Sequence, residues 1–264
     1  MVPSPFGGLA HTFAAQTTRD SARARGSLVL VPVGSVEQHG PHLPLGTDIW
    51  LATSMATSAA ARVGGVLVAE ALPIGCSAHH RSFPGTLSLR VETFINLIVD
   101  VASTLAADGF VPVFVNGHGG NRAPLGAALQ SLMELGVQAW GVTYFELIAD
   151  AVDAEFKGDR GACGHACALE TSLSLSLWPE LVREDSFPAR GGAGAYPDAS
   201  LFGIDRVVVH RRFEDLDESG IVGDPSLSSV DAGDALNEIA VARLVVVLER
   251  IRAQTVAADG RTGL

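Results

Sequence analysis

The strongest constraint on this chain is a rhythm, in which short unbroken runs of Val, Leu and Phe alternate with longer stretches whose apolar residues recur at helical spacing. Segment 27–35, "SLVLVPVGS", reads as a buried strand by its continuous apolar content, and "WLATSMATSAAARVGG" reads as a helix stopped by Gly64 and Gly65. "GVLVAEALPIG" is the next extended segment, and 91–109 is a helix ending on a glycine. "FVPVFVNG", "APLGAALQSLMELG" and "VQAWGVTYFE" continue as strand, helix and strand, and "DAGDALNEIAVARLVVVLERIRAQ" is a long amphipathic helix. Such alternation predicts an α/β fold, a mainly parallel sheet with helices on both faces. Ligands of such folds bind at the carboxyl ends of the strands.

A length of 264 residues fits one large domain, or at most two. Hydrophobic residues make up 47% and charged residues 18%, which excludes a disordered chain. A net charge of -11 argues against nucleic acid as partner, because phosphate binding needs clustered Lys and Arg, and the 18 Lys and Arg here are outnumbered by 29 Asp and Glu. No apolar run reaches the roughly 18 residues of a membrane span, and the first twenty lack the continuous apolar stretch of a secretory signal. A soluble, cytoplasmic protein is expected. The three cysteines, Cys76, Cys163 and Cys167, suit a reducing compartment. Residues 188–203 are glycine-rich and read as a surface loop able to cover a site, and 214–219, "EDLDES", as a solvated acidic turn.

The chemistry-bearing residues collect where strands end. After the first strand comes "GSVEQHGPHLPLGTD", with Glu37, His39, His42 and Asp48. Carboxylate and imidazole suit zinc, manganese or iron. In a plain turn, Glu37 and Asp48 would be solvated and His39 would cap the loop. A second strand end carries His118 in "VNGHGGN", between glycines that let the backbone pass close to a ligand. A phosphate loop is the competitor there, but the P-loop lysine and the GxGxxG spacing are absent. In "GACGHACALETSL", His165 belongs to the incoming loop and Glu170 to the first turns of a helix. Cys163, His165 and Cys167 lack the fourth partner of a structural zinc site, so both cysteines read as packing residues.

Together, "GSVEQHGPHLPLGTD", "FPGTLSL", "VNGHGGN", "GHACALETSL" and "GIVGDP" resemble, in this order, the creatininase family of metal-dependent amidohydrolases. The resemblance runs through nearly the whole chain and implies a single domain over 1–264, with an N-terminal arm at 1–26. It further implies a three-layer α/β/α sandwich, often a homohexamer, holding two divalent metal ions (Zn2+ or Mn2+, with Fe2+ also suited). Carried over by position, Glu37 and His118 would bind one metal, His39 and Glu170 the other, and Asp48 would bridge them. His165 matches the histidine placed near the substrate, a proton donor to the leaving nitrogen. Ser77, His80 and Phe83 would shape the substrate pocket, a core or turn role being the alternative for His80 and Phe83, and His42 is left to hydrogen bonding or packing around the ligands. Two close cations lower the pKa of a shared water and polarise the carbonyl under attack.

The chain departs from the creatinine-cleaving branch at three positions. Gly119 and Gly120 stand where that branch has Tyr and a ligating Glu, and Gly164 stands where it has Glu. The expected activity is hydrolysis of a C–N bond in a small or cyclic amide. The alternatives are a metallopeptidase trimming a peptide-derived redox cofactor precursor of the mycofactocin type, a formamide hydrolase of flavin-type cofactor biosynthesis, and a non-catalytic metal-binding subunit.

Overall fold

The computed structural model describes residues 11–159, 163–187 and 210–259. The glycine-rich segment 188–203 lies outside these residues. Four strands, β1 (Leu28–Val33), β2 (Val66–Val68), β3 (Val111–Asn116) and β4 (Trp140–Thr143), form one sheet. All pairings are parallel, in the order β2-β1-β3-β4. The predicted alternation is therefore observed.

Helices cover both faces. Because successive strand residues point to opposite sides, Leu28 and Leu30 of β1 enter one core and Val29, Val31 and Val33 the other. The first core is closed by α2 (Thr47–Arg62), α7 (Ala168–Leu177) and α8 (Val230–Asp259), with the short helices α5 (Tyr144–Leu147) and α6 (Ala149–Glu155) at its margin. The second is closed by α3 (Val91–Ala107) and α4 (Arg122–Glu134). The N-terminal arm contains α1 (Thr18–Arg23), whose first turn is held by a Thr17–Asp20 capping box. Phe13 packs edge-on against Phe110. None of the described helices is long and apolar enough to cross a membrane.

One expectation shifts: the strand read through "VQAWGVTYFE" is extended only to Thr143, and Tyr144 starts α5. Burial of the Tyr144 ring in the core accounts for the turn better than its strand propensity does.

The strand order creates a switch point between β1 and β3, where the connections leave for opposite sides of the sheet. A crevice opens there, outside the carboxyl ends of these two strands. Gly34 and Gly117 follow directly, and the first turn of α2 fits against both. A Cβ at Gly34 would lie 2.6 Å from the Ile49 Cα, and one at Gly117 would lie 2.4 Å from the Asp48 carbonyl oxygen. These contacts bring Asp48 between the two strand ends.

Candidate metal centre

Glu37 and His39 come from the loop after β1, Asp48 from the first turn of α2, His118 from the loop after β3, and Glu170 from the first turn of α7. All converge. Glu37 and His39 are 0% exposed, Asp48 is 2% and His118 is 3% exposed, which excludes the solvated turn.

The ligand-type atoms form two groups that share Asp48. Glu37, Asp48 and His118 make one, and His39, Asp48 and Glu170 the other; within each, the atoms lie within 4.8 Å of one another. Each oxygen of Asp48 serves a different group. Oδ1 is 3.1 Å from His39 Nε2, and Oδ2 is 2.9 Å from His118 Nδ1. Glu37 Oε1 is 3.2 Å from the same His118 nitrogen, and Glu170 Oε1 is 3.9 Å from His39 Nε2. Glu37, His39 and His165 form an overlapping third group.

Both carboxylate oxygens of Glu37 and Oδ2 of Asp48 are buried without a hydrogen bond, although imidazole nitrogens stand close by. Short separations without donor alignment are what ligands of a common cation show, since each turns a lone pair to the centre. Orphaned buried carboxylate oxygens are otherwise costly. The residues therefore fit divalent cations.

The outward nitrogens of the histidines are tied down. His39 Nδ1 lies 3.1 Å from the Glu37 carbonyl, and His118 Nε2 lies 3.2 Å from both the Cys76 carbonyl and Ser77 Oγ. Donation to a carbonyl fixes the ring and makes the inward nitrogen the one that gives up its proton to a cation, as metal-ligating histidines require. Ser77 thus stands behind His118, bonded to Ser35 Oγ at 2.5 Å, and does not line the cavity.

The charges in the metal-free protein are strongly coupled. Burial disfavours the His39 imidazolium, but the charge and hydrogen bond of Asp48, helped by Glu170 and Glu37, lift its pKa to about 9. Burial opposes charge on His118 too, and Glu37 and Asp48 outweigh it. Burial raises Glu170 to about 7, against the pull of His39. Desolvation would raise Asp48, yet His39 and His118 hold it well below the carboxylate range. Burial keeps His165, His80 and His42 neutral, lowering His42 to about 4.

A cavity of about 320 Å³ opens over Glu37, Asp48, His118 and Glu170. His80 and His165 line it, along with residues that sequence reasoning passed over: His79, Tyr144 and Phe213. The Phe213 ring lies 4.0 Å from that of His80 and 4.9 Å from that of His165. Its only sequence signal is its place just before the acidic turn. Phe83, half-buried, is not among the lining residues. His42 is outside the ligand groups, with Nε2 2.9 Å from Thr171 Oγ1 on α7. Cys167 is buried as expected of a packing residue, but Cys163 is exposed and lines the cavity.

The three glycine departures differ in kind. A Cβ at Gly164 would meet the Val222 carbonyl at 2.1 Å, and one at Gly120 would meet the Cys76 carbonyl at 2.4 Å and His118 Nε2 at 2.5 Å. At Gly119 it would meet open space.

Comparison with known proteins follows the same lines. A family model described as creatininase, creatinine amidohydrolase, matches residues 14–248. The mycofactocin precursor peptide peptidase of Mycobacterium ulcerans (strain Agy99) is 36% identical over 174 residues, covering 62% of this chain and 64% of that protein. Its counterpart from Mycolicibacterium smegmatis (strain ATCC 700084 / mc(2)155) is 34% identical over 214 residues, 79% of each chain. A solved mutant creatininase described as Zn-Zn type has a TM-score of 0.73 at 25% identity, covering 90% of this chain and 97% of its own.

Proposed function

The chain belongs to the creatininase family of hydrolases, and from that premise we propose that it is a metal-dependent hydrolase of an amide C–N bond in a peptide-type substrate. The observation that carries the hydrolytic reading is the pair of ligand groups sharing Asp48, one carboxylate oxygen to each. Glu37, Asp48 and His118 would hold one divalent cation, and His39, Asp48 and Glu170 a second. Such ions supply a water nucleophile at neutral pH and polarise the carbonyl it attacks.

The protein's own groups do the rest. Asp48 offsets charge on both sides at once. His165 Nε2, 2.7 Å from the Gln38 carbonyl, donates to it, so Nδ1 faces the site bare, 3.7 Å from Glu37 Oε1. Held neutral by burial, His165 would take at Nδ1 the proton that the attacking water gives up and deliver it to the leaving nitrogen.

A peptide-type substrate is favoured over creatinine by two observations. Backbone contacts shut the positions of Gly120 and Gly164 to the acidic side chains of the creatinine-cleaving branch, while the open space at Gly119 widens the cavity wall. Both mycobacterial relatives are described as peptidases. A small cyclic amide is the second reading, supported by the description of the matching family.

The test is metal analysis of the purified protein followed by a panel of short peptides, creatinine, formamides and lactams. Hydrolysis of peptides, lost in Glu37→Gln and His118→Ala, is expected. Turnover of creatinine or a lactam alone would overturn the peptide reading, and a metal-loaded protein inert on the whole panel would favour a non-catalytic subunit.

A further inference from the structure

Gln38 lies between two candidate ligands and is 4% exposed, and its side chain has no part in the function proposed above. Its amide orientation is set by its neighbours. The Gly40 N–H donates to Oε1 at 2.9 Å, so the other end is the NH2 group. That group meets two acceptors, the Gly220 carbonyl at 2.8 Å and His80 Nδ1 at 2.9 Å. His80 Nδ1 therefore accepts, and its proton sits on Nε2. Nε2 lies 3.2 Å from Glu37 Oε1.

The backbone carbonyl of Gln38 has the converse effect on His165, where it accepts from Nε2 at 2.7 Å and leaves Nδ1 bare. His118 also turns Nδ1 to Glu37, with its Nε2 engaged by Ser77 and the Cys76 carbonyl, and that Nδ1 is the nitrogen a cation would deprotonate. Of the two neutral imidazoles beside Glu37 Oε1, His80 thus presents an N–H and His165 a bare nitrogen.

The segment "GIVGDP" holds this arrangement. Gly220 has a φ of +74°. A Cβ there would strike Gln38 Oε1 at 2.4 Å. Two residues on, Val222 pairs with His165 through backbone bonds of 2.7 and 2.9 Å. One short loop thus secures both His165 and the Gln38 amide.

We propose that Gln38 is a positioning residue that assigns the protons of two imidazoles at Glu37: its amide puts the His80 proton on Nε2, the nitrogen that faces the carboxylate, and its carbonyl leaves His165 with a bare Nδ1. His80 then acts on the metal site through Glu37 and is not itself a ligand in either group that shares Asp48. The proposal rests on the metal reading for its consequence but not for its tautomers.

The decisive measurement is long-range 1H–15N correlation on the metal-free full-length protein with 15N-labelled histidine, His80 being identified by its absence in His80→Gln. Wild type should show His80 protonated on Nε2. Gln38→Glu, the same shape with an acceptor in place of the NH2, should move a proton onto Nδ1 of His80, while His165 stays protonated on Nε2. Gln38→Leu should release the single tautomer. A wild-type His80 protonated on Nδ1, or a spectrum unchanged in Gln38→Glu, overturns the assignment.

Titration with Zn2+ or Mn2+ alone against a chelator then reads the consequence. Gln38→Leu should weaken one site about 10–100-fold, the range for losing a group that orients a ligand, and spare the other. Equal loss at both sites, or none, overturns the positioning role. If wild type binds no metal yet shows the expected tautomers, the functional reading fails and the proton assignment stands.

Discussion

In the metal-free protein His39 is a buried imidazolium held by Asp48, and its pKa of about 9 against an ordinary 6.5 makes it a source of pH dependence. The folded value is raised, so this contribution is fully present below pH 6.5 and lost as pH rises through 9. Glu170, raised from 4.5 to about 7 chiefly by burial, acts in the same direction over a lower window. Chelated protein should therefore lose stability from about pH 4.5 to about pH 9 if these groups dominate the profile. Denaturant midpoints across that range test it, with a shallower fall above pH 6.5 in His39→Gln. A cation replaces the His39 proton, so metal affinity should rise with pH over the upper window, with proton release visible by calorimetry in buffers of different ionisation enthalpy. Residue types alone pointed to Glu37, His39, Asp48, His118 and Glu170. The protons did not show in the sequence, because Gln38 acts through the direction of one amide, and that direction depends on Gly40, Gly220 and His80 meeting it from separate segments.

At the scale of elements, the site depends on how closely α2 approaches the ends of β1 and β3. Gly117→Ala would drive a methyl group into the Asp48 carbonyl, 2.4 Å away on the backbone, where no side chain can swing aside. Overpacking of this kind costs about 1–3 kcal/mol, and here it also displaces Asp48, the residue common to both ligand groups. The unfolding free energy from urea titration should fall by that amount, and metal content should fall at both sites together. Gly119→Ala, facing open space, should stay within about 0.5 kcal/mol of wild type. The strands and long helices were legible because their apolar runs and helical spacings are local signals. The end of β4 at Thr143 was not, since "VTYFE" has strand composition and only the burial of Tyr144 under the sheet turns it into α5. Phe213 escaped for a related reason: it reaches His80 and His165 from a distant loop, and no periodicity marks it.

Across the whole molecule, the ligand groups tie together segments that the chain otherwise connects only through its two cores. Glu37 and His39 belong to the β1 end, His118 to the β3 end, Asp48 to α2 and Glu170 to α7, and α8 packs across both of these helices. In the unfolded chain His118 and Glu170 are far from the Glu37–Asp48 segment, so a cation binds the native state in preference. Bound metal at about 100 times its Kd stabilises by about 2.7 kcal/mol per site. For a chain of this size one kcal/mol corresponds to roughly 2–4 °C in Tm, so filling one site should raise Tm by about 5–10 °C. Thermal melts after exhaustive chelation and after add-back of Zn2+ or Mn2+ measure this directly. Glu170→Gln should keep the part of the shift that belongs to Glu37, Asp48 and His118, whereas Asp48→Asn should lose nearly all of it because both groups need that carboxylate. A melt indifferent to chelator and to added metal would mean that Glu37 and Asp48 are buried for some purpose other than holding cations.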